Sequence, residues 1–341
     1  MTRQRRRYGR WSAAILSGIL CFVGAFGLGS TAEAALKAKT LVPVGHTVGI
    51  KLFSEGVVVV GLAEVEGPKG METPGAACGL KVGDVIEEAN GQDVHSTEQF
   101  SALLQGGGQV DLSVSRDGQD LRLKAKPVMG VDGTYRLGAW IRDSMAGIGT
   151  VTFYDPETGV FGALGHGITD VDTGLLMPLG EGAVMGSTVK AVKRGSSGTP
   201  GELRGSFDLS HDLGSLSVNT ERGIFGRLEP GKLTEGTAVP VAEPGEIHVG
   251  PAQILSNVEG DTVETYDIEI VKISKDTPTQ NLLLRVRDPR LTANTGGIVQ
   301  GMSGSPIIQD GKLVGAVTHV LISDPQKGYG ILIENMLDAA V

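Results

Sequence analysis

The chain is organised around one stretch, Gly301-Met302-Ser303-Gly304-Ser305-Pro306. Apolar residues follow it, then a turn and a second apolar run, so the stretch is predicted to lead into a β-hairpin. Glycines on both sides of a serine allow strained backbone dihedrals and keep side chains away from an incoming carbonyl group. A serine nucleophile needs such a setting, and the amides of Gly301 and Ser303 are predicted to converge as an oxyanion hole.

A second stretch with similar glycine framing lies upstream, and it reads Gly162-Ala163-Leu164-Gly165-His166-Gly167-Ile168-Thr169-Asp170. Taken alone, the serine stretch could be an ordinary turn of a glycine-rich protein, and a single histidine is usually structural. The two stretches together favour His166 as the general base for Ser303, because the base must lie beside the hydroxyl that it deprotonates.

The composition favours a β-rich chain and argues against several classes of function. With 341 residues, the chain is long enough for one large domain or two to three ordinary ones. Its 52 glycines and 4% aromatic residues favour many short strands joined by turns. The net charge of −9 argues against a nucleic-acid partner. The sequence also lacks a phosphate-binding loop with lysine and the common zinc patterns, so no cofactor and no metal site are expected.

Residues 1–34 are predicted to be an export segment. Arginines crowd the first ten positions, the apolar stretch Trp11–Leu28 follows, and Ala32-Glu33-Ala34 has the pattern of a signal-peptidase site. The apolar stretch is at the edge of the length that spans a bilayer, so a cleaved signal peptide and a retained membrane anchor both stay open. Removal of this segment would leave Cys78 as the only thiol, so no intrachain disulfide is expected.

Residues 40–128 are predicted to form a compact module. Its most distinctive stretch is Gly79-Leu80-x-x-Gly83-Asp84-x-Ile86-x-x-x-Asn90-Gly91, in which Asn90-Gly91 closes a hairpin. Ser96 is predicted to cap a helix that ends near Gln105, and Asp117-Gly118 joins two later strands.

This arrangement resembles a PDZ domain. By that resemblance, Val48, Gly49 and Ile50 form the peptide-binding loop, beside which a peptide adds as an extra strand. The alternative is that the module packs against the rest of the chain and binds no peptide.

Residues 130–341 are predicted to fold as two β-barrels with a site between them. This region contains no long amphipathic helix, and short apolar runs recur between Gly, Asp and Pro turns. One such turn, Asp155-Pro156-Glu157-Thr158-Gly159, comes directly before the strand that leads to His166.

In four blocks of sequence, which include the histidine and serine stretches, the chain resembles the stage IV sporulation protein B peptidases of endospore-forming bacteria. The resemblance covers nearly the whole chain and is carried by the blocks at 161–170, 298–309, 315–320 and 328–331. Members have an N-terminal signal or membrane segment, a PDZ domain and a chymotrypsin-like serine peptidase domain. The resemblance therefore implies a mainly β fold with domains at 1–34, 40–128 and 130–341.

The resemblance also implies a function. These peptidases cleave themselves and then a membrane-bound regulator that restrains an intramembrane metalloprotease, which releases a mother-cell sigma factor. The implied location is the space between forespore and mother cell, either anchored through the N-terminal segment or released. Two alternatives are a non-catalytic exported scaffold that binds peptides and a general quality-control protease with a PDZ domain. The latter type carries its PDZ domain after the peptidase, unlike this chain.

Three catalytic residues follow from the resemblance: Ser303 as nucleophile, His166 as general base and Asp288 as the acid of the triad. The carboxylate of Asp288 would accept the Nδ1–H of His166 and stabilise the imidazolium. Asp288 lies unusually close to Ser303 in the chain, so alternatives stay open. The competing acids are Asp170, Asp208 and Asp212, and Asp288 could instead pair with Arg285, Arg287 or Arg290.

Three other residues invite a catalytic or metal-binding interpretation, and a structural one is favoured for each. Ser305 fits the turn before Pro306 better than it fits a nucleophile. His319 is predicted to be a core or pocket-wall residue of an apolar strand. His211, with two nearby aspartates, is predicted to lie in a solvated loop, because no third metal ligand has suitable spacing.

Overall fold

The computed structural model describes residues 39–274 and 276–340. The predicted export segment at 1–34 lies outside the described residues. Within the described ranges, no helix is both long and apolar enough to cross a bilayer.

The described chain opens with two strands, β1 (Thr40–Pro43) and the long β2 (Thr47–Leu62). β2 serves two domains. On one edge, its first half pairs with a later strand of a barrel, whereas its second half, from Val57, pairs with the strand that contains Ile86 in the predicted PDZ module. On the other edge, a single later strand pairs with both halves. Gly56, with a φ of +86°, stands just before this change of partner, and an added Cβ there would meet a backbone oxygen at 2.5 Å.

The PDZ module follows β2 and consists of short strands and two helices. They are β3 (Val65–Gly67), β4 (Gly70–Glu72), α1 (Pro74–Ala77), β5 (Val85–Ala89), β6 (Gln92–Asp93), α2 (Thr97–Leu104), β7 (Val110–Arg116), β8 (Gln119–Ala125), β9 (Val128–Met129) and β10 (Tyr135–Arg136). The local predictions for this module are confirmed. The Ser96 hydroxyl caps α2 by accepting from the N–H of Gln99 at 3.1 Å. Asn90 and Gly91 both have positive φ in the turn between β5 and β6.

The chain then returns to the barrel that β2 began. The remaining elements of this region are β11 (Ala139–Tyr154), β12 (Val160–Ala163), β13 (Glu181–Lys193), β14 (Glu202–Thr220), β15 (Gly223–Leu228), a 3-10 helix (Lys232–Thr234) and β16 (Val239–Pro240). Pairing runs from β2 to β11, β12, β15, β14, β13 and back to β2, which closes the first barrel. The PDZ module is therefore inserted between β2 and β11, two neighbouring strands of this barrel.

This insertion corrects the prediction for the peptide-binding loop. Val48, Gly49 and Ile50 lie in the barrel half of β2, where Gly49 faces Ile148 of β11 on one edge and Met185 of β13 on the other. A strand with both edges paired has no free row of N–H and C=O groups to receive a peptide. The prediction that these three residues bind peptide is wrong, and so is the start of the module at residue 40.

The second barrel is built from the last part of the chain. Its strands are β17 (Gly250–Glu259), β18 (Thr262–Ile273), β19 (Leu282–Val286), β20 (Pro306–Gln309), β21 (Lys312–Val320) and β22 (Lys327–Leu332), with helices α3 (Pro289–Thr295) and α4 (Ile333–Ala339). The strands close in the order β17-β18-β19-β22-β21-β20. The barrel is filled by buried aliphatic side chains such as Ile254, Ile270, Leu284 and Val317. The predicted mainly β, double-barrel fold is confirmed.

Candidate active site

Ser303 lies in the turn that precedes β20, between two glycines that the backbone requires. Gly301 and Gly304 both have a φ of +98°, a region that side chains disfavour. A Cβ on Gly304 would lie 1.9 Å from the carbonyl oxygen of Thr150. Among the described residues, the amides of Gly301 and Ser303 donate to no protein acceptor. They are therefore available to an oxyanion.

His166 follows a tight reversal of the chain at the end of β12. Leu164 and Gly165 both have a φ of +69°. This conformation is strained for a bulky residue such as leucine, and strain of this kind persists where the surrounding structure imposes it. Gly165 has no room for a side chain, because a Cβ would lie 2.9 Å from both Ile331 and Thr318. The reversal directs the chain from the first barrel against the second and sets His166 at the cleft between them.

Thr150 on β11 joins the two loops. Its backbone N–H donates to the carbonyl oxygen of Ser303 at 2.9 Å, and its hydroxyl donates to that of Gly301 at 2.8 Å. Its own carbonyl oxygen accepts the N–H of Leu164 at 3.2 Å. Thr150 is fully buried, so these bonds are shielded from water and fix the serine turn relative to the histidine loop.

His166 and Ser303 line one cleft with a volume of about 410 Å³. Apart from these two residues and a few polar neighbours, the cleft wall is aliphatic. Its aliphatic members include Ile50, Ile148, Ile298, Val299, Val320 and Ile322. The structure therefore brings together the predicted base and nucleophile in a site of suitable size for a side chain of a substrate.

The imidazole of His166 is held in one orientation. Its Nδ1 lies 2.9 Å from the carbonyl oxygen of Gly167, which can only accept, so the proton resides on Nδ1 and Nε2 is the free acceptor. Burial lowers the pKa of His166 to about 4, the Gly167 carbonyl opposes this shift, and the neighbouring His319 adds to it. His166 is thus neutral at pH 7 and able to take a proton.

The Ser303 hydroxyl donates to the carbonyl oxygen of Thr318 at 2.5 Å in this structure, rather than to His166. Hydrogen bonds between a nucleophile and its base are often long or misaligned without substrate and commonly tighten only when substrate is bound. His319, the residue after Thr318, is exposed and lines the same cleft, with its ring centroid 4.7 Å from that of His166. The predicted pocket-wall position of His319 is confirmed.

Asp288 does not hold His166 in this structure, which corrects the predicted triad. Its carboxylate caps α3 by accepting from the N–H of Arg290 at 2.8 Å and pairs with the Arg290 side chain at 2.8 Å. The Arg290 hydrogen bonds hold the pKa of the Asp288 carboxyl below its usual value. The alternative of an ion pair with Arg290 is what the structure shows. The Asp288-Pro289 sequence was itself a cue for a helix start, because proline is favoured at the first helical position.

The competing acids also have other partners. Asp170 organises its own loop through Thr173 and pairs with Arg142 at 2.9 Å, and Asp212 pairs with Lys51 at 3.0 Å. Asp208 accepts from Ser210. Among the described residues, no carboxylate forms a hydrogen bond with His166.

Two further predictions concerned side chains outside the site. Ser305 is buried and donates to Ser256 at 3.0 Å inside the second barrel, so its structural interpretation is confirmed. His211 is exposed, as predicted, but it lies on strand β14 instead of in a loop, and its Nε2 lies 3.7 Å from Glu229.

Comparison with known proteins agrees with this geometry. The family model for the SpoIVB peptidase S55 matches residues 133–337, more than half of the chain. The chain belongs to the SpoIVB peptidase S55 family. A PDZ domain model matches residues 70–116 of this S55 peptidase. The predictions of the family and of a serine peptidase with a PDZ domain are confirmed, and such an enzyme acts on a protein substrate.

The S55 peptidase is also similar to solved structures. The PDZ domain of the SdrC-like protein from Listeria monocytogenes is 23% identical, with 26% of this chain and 87% of that chain covered and a TM-score of 0.21. The Rv3671c protease from M. tuberculosis in its active form is 16% identical, with 57% and 73% covered and a TM-score of 0.33. Its inactive form is 17% identical, with 57% and 84% covered and a TM-score of 0.31. The search of curated proteins found no match.

Sequence reasoning missed two residues of the S55 peptidase that support the site. Thr150 carried no recognisable signal, because its three hydrogen bonds reach residues distant in the chain. Asn219, at the end of β14, contacts the histidine loop at Ile168. Its only cue was its place beside the turn between two strands, which does not reveal what it faces.

Proposed function

We propose that this S55 peptidase hydrolyses peptide bonds with Ser303 as nucleophile and His166 as general base. The observation that carries the proposal is that both glycine-framed residues line one cleft and that Thr150 fastens their two loops together. The neutral imidazole presents Nε2 as an acceptor, and the turn offers two unpaired amides.

The chemistry requires the Ser303 hydroxyl to turn from Thr318 towards His166 when a peptide enters. Nε2 then takes the hydroxyl proton as Oγ bonds to the scissile carbonyl carbon, and the amides of Gly301 and Ser303 stabilise the oxyanion. The imidazolium returns the proton to the leaving amine as the C–N bond breaks. Water, activated by the same base, releases the acyl group from Ser303.

The physiological substrates that we propose are the chain itself and a membrane-bound regulator of an intramembrane protease. The support is membership of the S55 family, together with an inserted PDZ domain. We place the enzyme in the space between forespore and mother cell during endospore formation, anchored or released through residues 1–34. Cleavage of the membrane-bound regulator then signals activation of the mother-cell sigma factor.

A fluorophosphonate probe tests the catalytic assignment. Labelling of wild-type protein at Ser303, lost in Ser303→Ala and strongly slowed in His166→Ala, is the expected result. Ser305→Ala is the matched control, because Ser305 lies two residues away but is buried against Ser256. Equal labelling of Ser303→Ala and wild type would show that the nucleophile lies elsewhere.

A second experiment tests the substrate. In a spore-forming host, Ser303→Ala is expected to leave the membrane-bound regulator intact and to block the sigma factor, with the variant protein present at a normal level. The competing role in general quality control predicts instead that the purified enzyme degrades unfolded casein and that the regulator is processed normally without Ser303.

A further inference from the structure

We propose that Asn219 is the positioning residue for His166 and that it acts through the peptide group between Gly167 and Ile168. In this arrangement a backbone amide does the orienting work that a carboxylate does in a serine-histidine-aspartate triad. The inference rests on the proposed function, because it assigns how the general base of that function is held.

The two ends of a single peptide group make the connection. Its carbonyl oxygen, that of Gly167, accepts the Nδ1–H of His166 at 2.9 Å. Its N–H, that of Ile168, donates to the side-chain oxygen of Asn219 at 2.8 Å. The imidazole, the peptide group and the carboxamide are therefore hydrogen-bonded in series.

The carboxamide of Asn219 has one consistent orientation. Its Nδ2 donates to the carbonyl oxygens of Ile168 at 2.9 Å and Met177 at 2.8 Å. A flipped amide would place two donors against each other and oxygen against two oxygens, so the bonding pattern fixes the side chain. Asn219 thereby binds Ile168, which directly follows Gly167, and also Met177, which lies further along the chain between β12 and β13.

Asn219 is held in place by the first barrel. Asn219 lies near the end of β14 and pairs with Ile224 of β15. The next residue, Thr220, also limits the histidine loop, since a Cβ on Gly167 would lie 2.6 Å from its carbonyl oxygen. Met177 packs in a buried cluster with Leu52 and Val58. The peptide group that holds His166 is thus fastened to the strands of the barrel.

This series of bonds has a chemical consequence. Hydrogen bonds in series polarise one another, so acceptance of the Ile168 N–H by Asn219 makes the Gly167 carbonyl a stronger acceptor. When His166 takes the serine proton, its Nδ1–H becomes a charge-assisted donor to that carbonyl. Orientation and tautomer are then set without a carboxylate, in agreement with the pairing of Asp288 to Arg290.

The test compares Asn219→Ala with a structurally matched asparagine. The side-chain amide of Asn257 also donates to backbone carbonyls, in this case those of Glu259, Gly260 and Thr262, and Asn257 does not line the cleft. With the p-nitroanilide of an apolar tetrapeptide and with the fluorophosphonate probe, Asn219→Ala is expected to lower kcat and the labelling rate about 100-fold, as a misplaced catalytic group does. KM should change little, and Asn257→Ala should retain wild-type kcat in its folded fraction.

Two readouts separate positioning from simple structural support. The low-field proton NMR signal of the His166 Nδ1–H should move in Asn219→Ala and stay in Asn257→Ala. Asn219→Asp keeps an acceptor for the Ile168 N–H but adds a negative charge near the imidazole, whose titratable neighbour in the cleft is His319. The acid limb of kcat/KM should therefore move to higher pH in Asn219→Asp, which also provides the test if the alanine variant does not fold.

The outcomes are distinct. The inference is overturned if Asn219→Ala keeps wild-type kcat, or if neither the NMR signal nor the pH limb responds to either substitution. A rival triad, in which Asp288 holds the imidazole, expects Asp288→Asn to move the NMR signal and lower kcat far more than Asn219→Ala does. If Ser303→Ala keeps full activity, the proposed function fails as a whole. If only the Asn219 variants behave as wild type, this inference alone fails.

Discussion

Thr150 and Ser303 are joined across the two barrels by a 2.9 Å hydrogen bond from the N–H of the threonine to the carbonyl oxygen of the serine. The same threonine accepts the N–H of Leu164, two residues before His166. One buried residue of β11 therefore fixes the separation of the proposed nucleophile and base.

Thr150→Val is expected to impair both stability and catalysis. The substitution keeps the side-chain shape but removes the hydroxyl, so the Gly301 carbonyl loses its 2.8 Å donor. A buried acceptor left without a partner costs about 1–3 kcal/mol in the free energy of unfolding. Urea denaturation and kcat measure the two effects.

Thr152→Val is the control on the same strand. Thr152 is also fully buried, and among the described residues its hydroxyl has no hydrogen-bond partner. Its replacement is expected to be neutral or stabilising, with unchanged kcat. If both valine variants behave alike, the bridging role of the Thr150 hydroxyl is refuted.

Gly304→Ala is expected to disrupt the serine turn. The new Cβ would lie 1.9 Å from the Thr150 carbonyl oxygen in a residue with a φ of +98°, so β11 and the turn must separate. We expect a loss of roughly 4 kcal/mol or more in the free energy of unfolding, because steric overlap adds to backbone strain. Denaturation curves measure it.

Gly311→Ala measures the cost of a positive φ without steric overlap. Gly311 has a φ of +76° but open space around the position of a Cβ, so its substitution should cost only about 1 kcal/mol. Equal losses at the two glycines would contradict the close approach of Gly304 to Thr150.

The acid limb of kcat/KM is expected near pH 4 instead of near 6.5. Burial lowers the pKa of His166 to about 4, and the base works only when neutral, so activity persists as the pH falls until that pKa is reached. A pH profile with the p-nitroanilide substrate measures the midpoint. In His319→Gln the midpoint should rise, because the positive charge of His319 helps to lower the pKa of His166. A wild-type midpoint near 6.5 would show that His166 is solvated in the working enzyme.

The aliphatic cleft wall is expected to favour substrates with an apolar side chain beside the scissile bond. Ile322 lines the cleft and is 54% exposed, so Ile322→Asp should alter binding without loss of the fold. We expect kcat/KM for the apolar peptide to fall roughly tenfold or more. Val249→Asp is the matched control, since Val249 is 56% exposed and is not part of the cleft wall. Preference for a charged residue at this position would contradict the prediction.

Much of the local structure could be predicted from the sequence. The Ser96 cap of α2 and the turn at Asn90-Gly91 depend on backbone preferences of a few adjacent residues, and both form as expected. The glycine framing of Ser303 and His166 likewise follows from steric limits that a short stretch reveals. The family resemblance rested on these same stretches.

The domain boundary could not be predicted in this way. Val48, Gly49 and Ile50 were expected in the PDZ module, yet they lie in the barrel half of β2, a single strand whose two halves contribute to different domains. A strand's own residues do not specify its partners, and the partners of Gly49, namely Ile148 and Met185, lie far away in the chain. The carboxylate of Asp288 was misassigned for a related reason, since a triad acid and a helix cap look alike until the neighbours are known.

The sequence by itself therefore determined the class of fold, the turns and the two residues proposed for the chemistry, because each depends on local sterics. Only the tertiary structure decided how the base is held. Thr150 and Asn219 act through hydrogen bonds to residues that are distant in sequence, and such contacts exist only once both barrels have closed and excluded water from them.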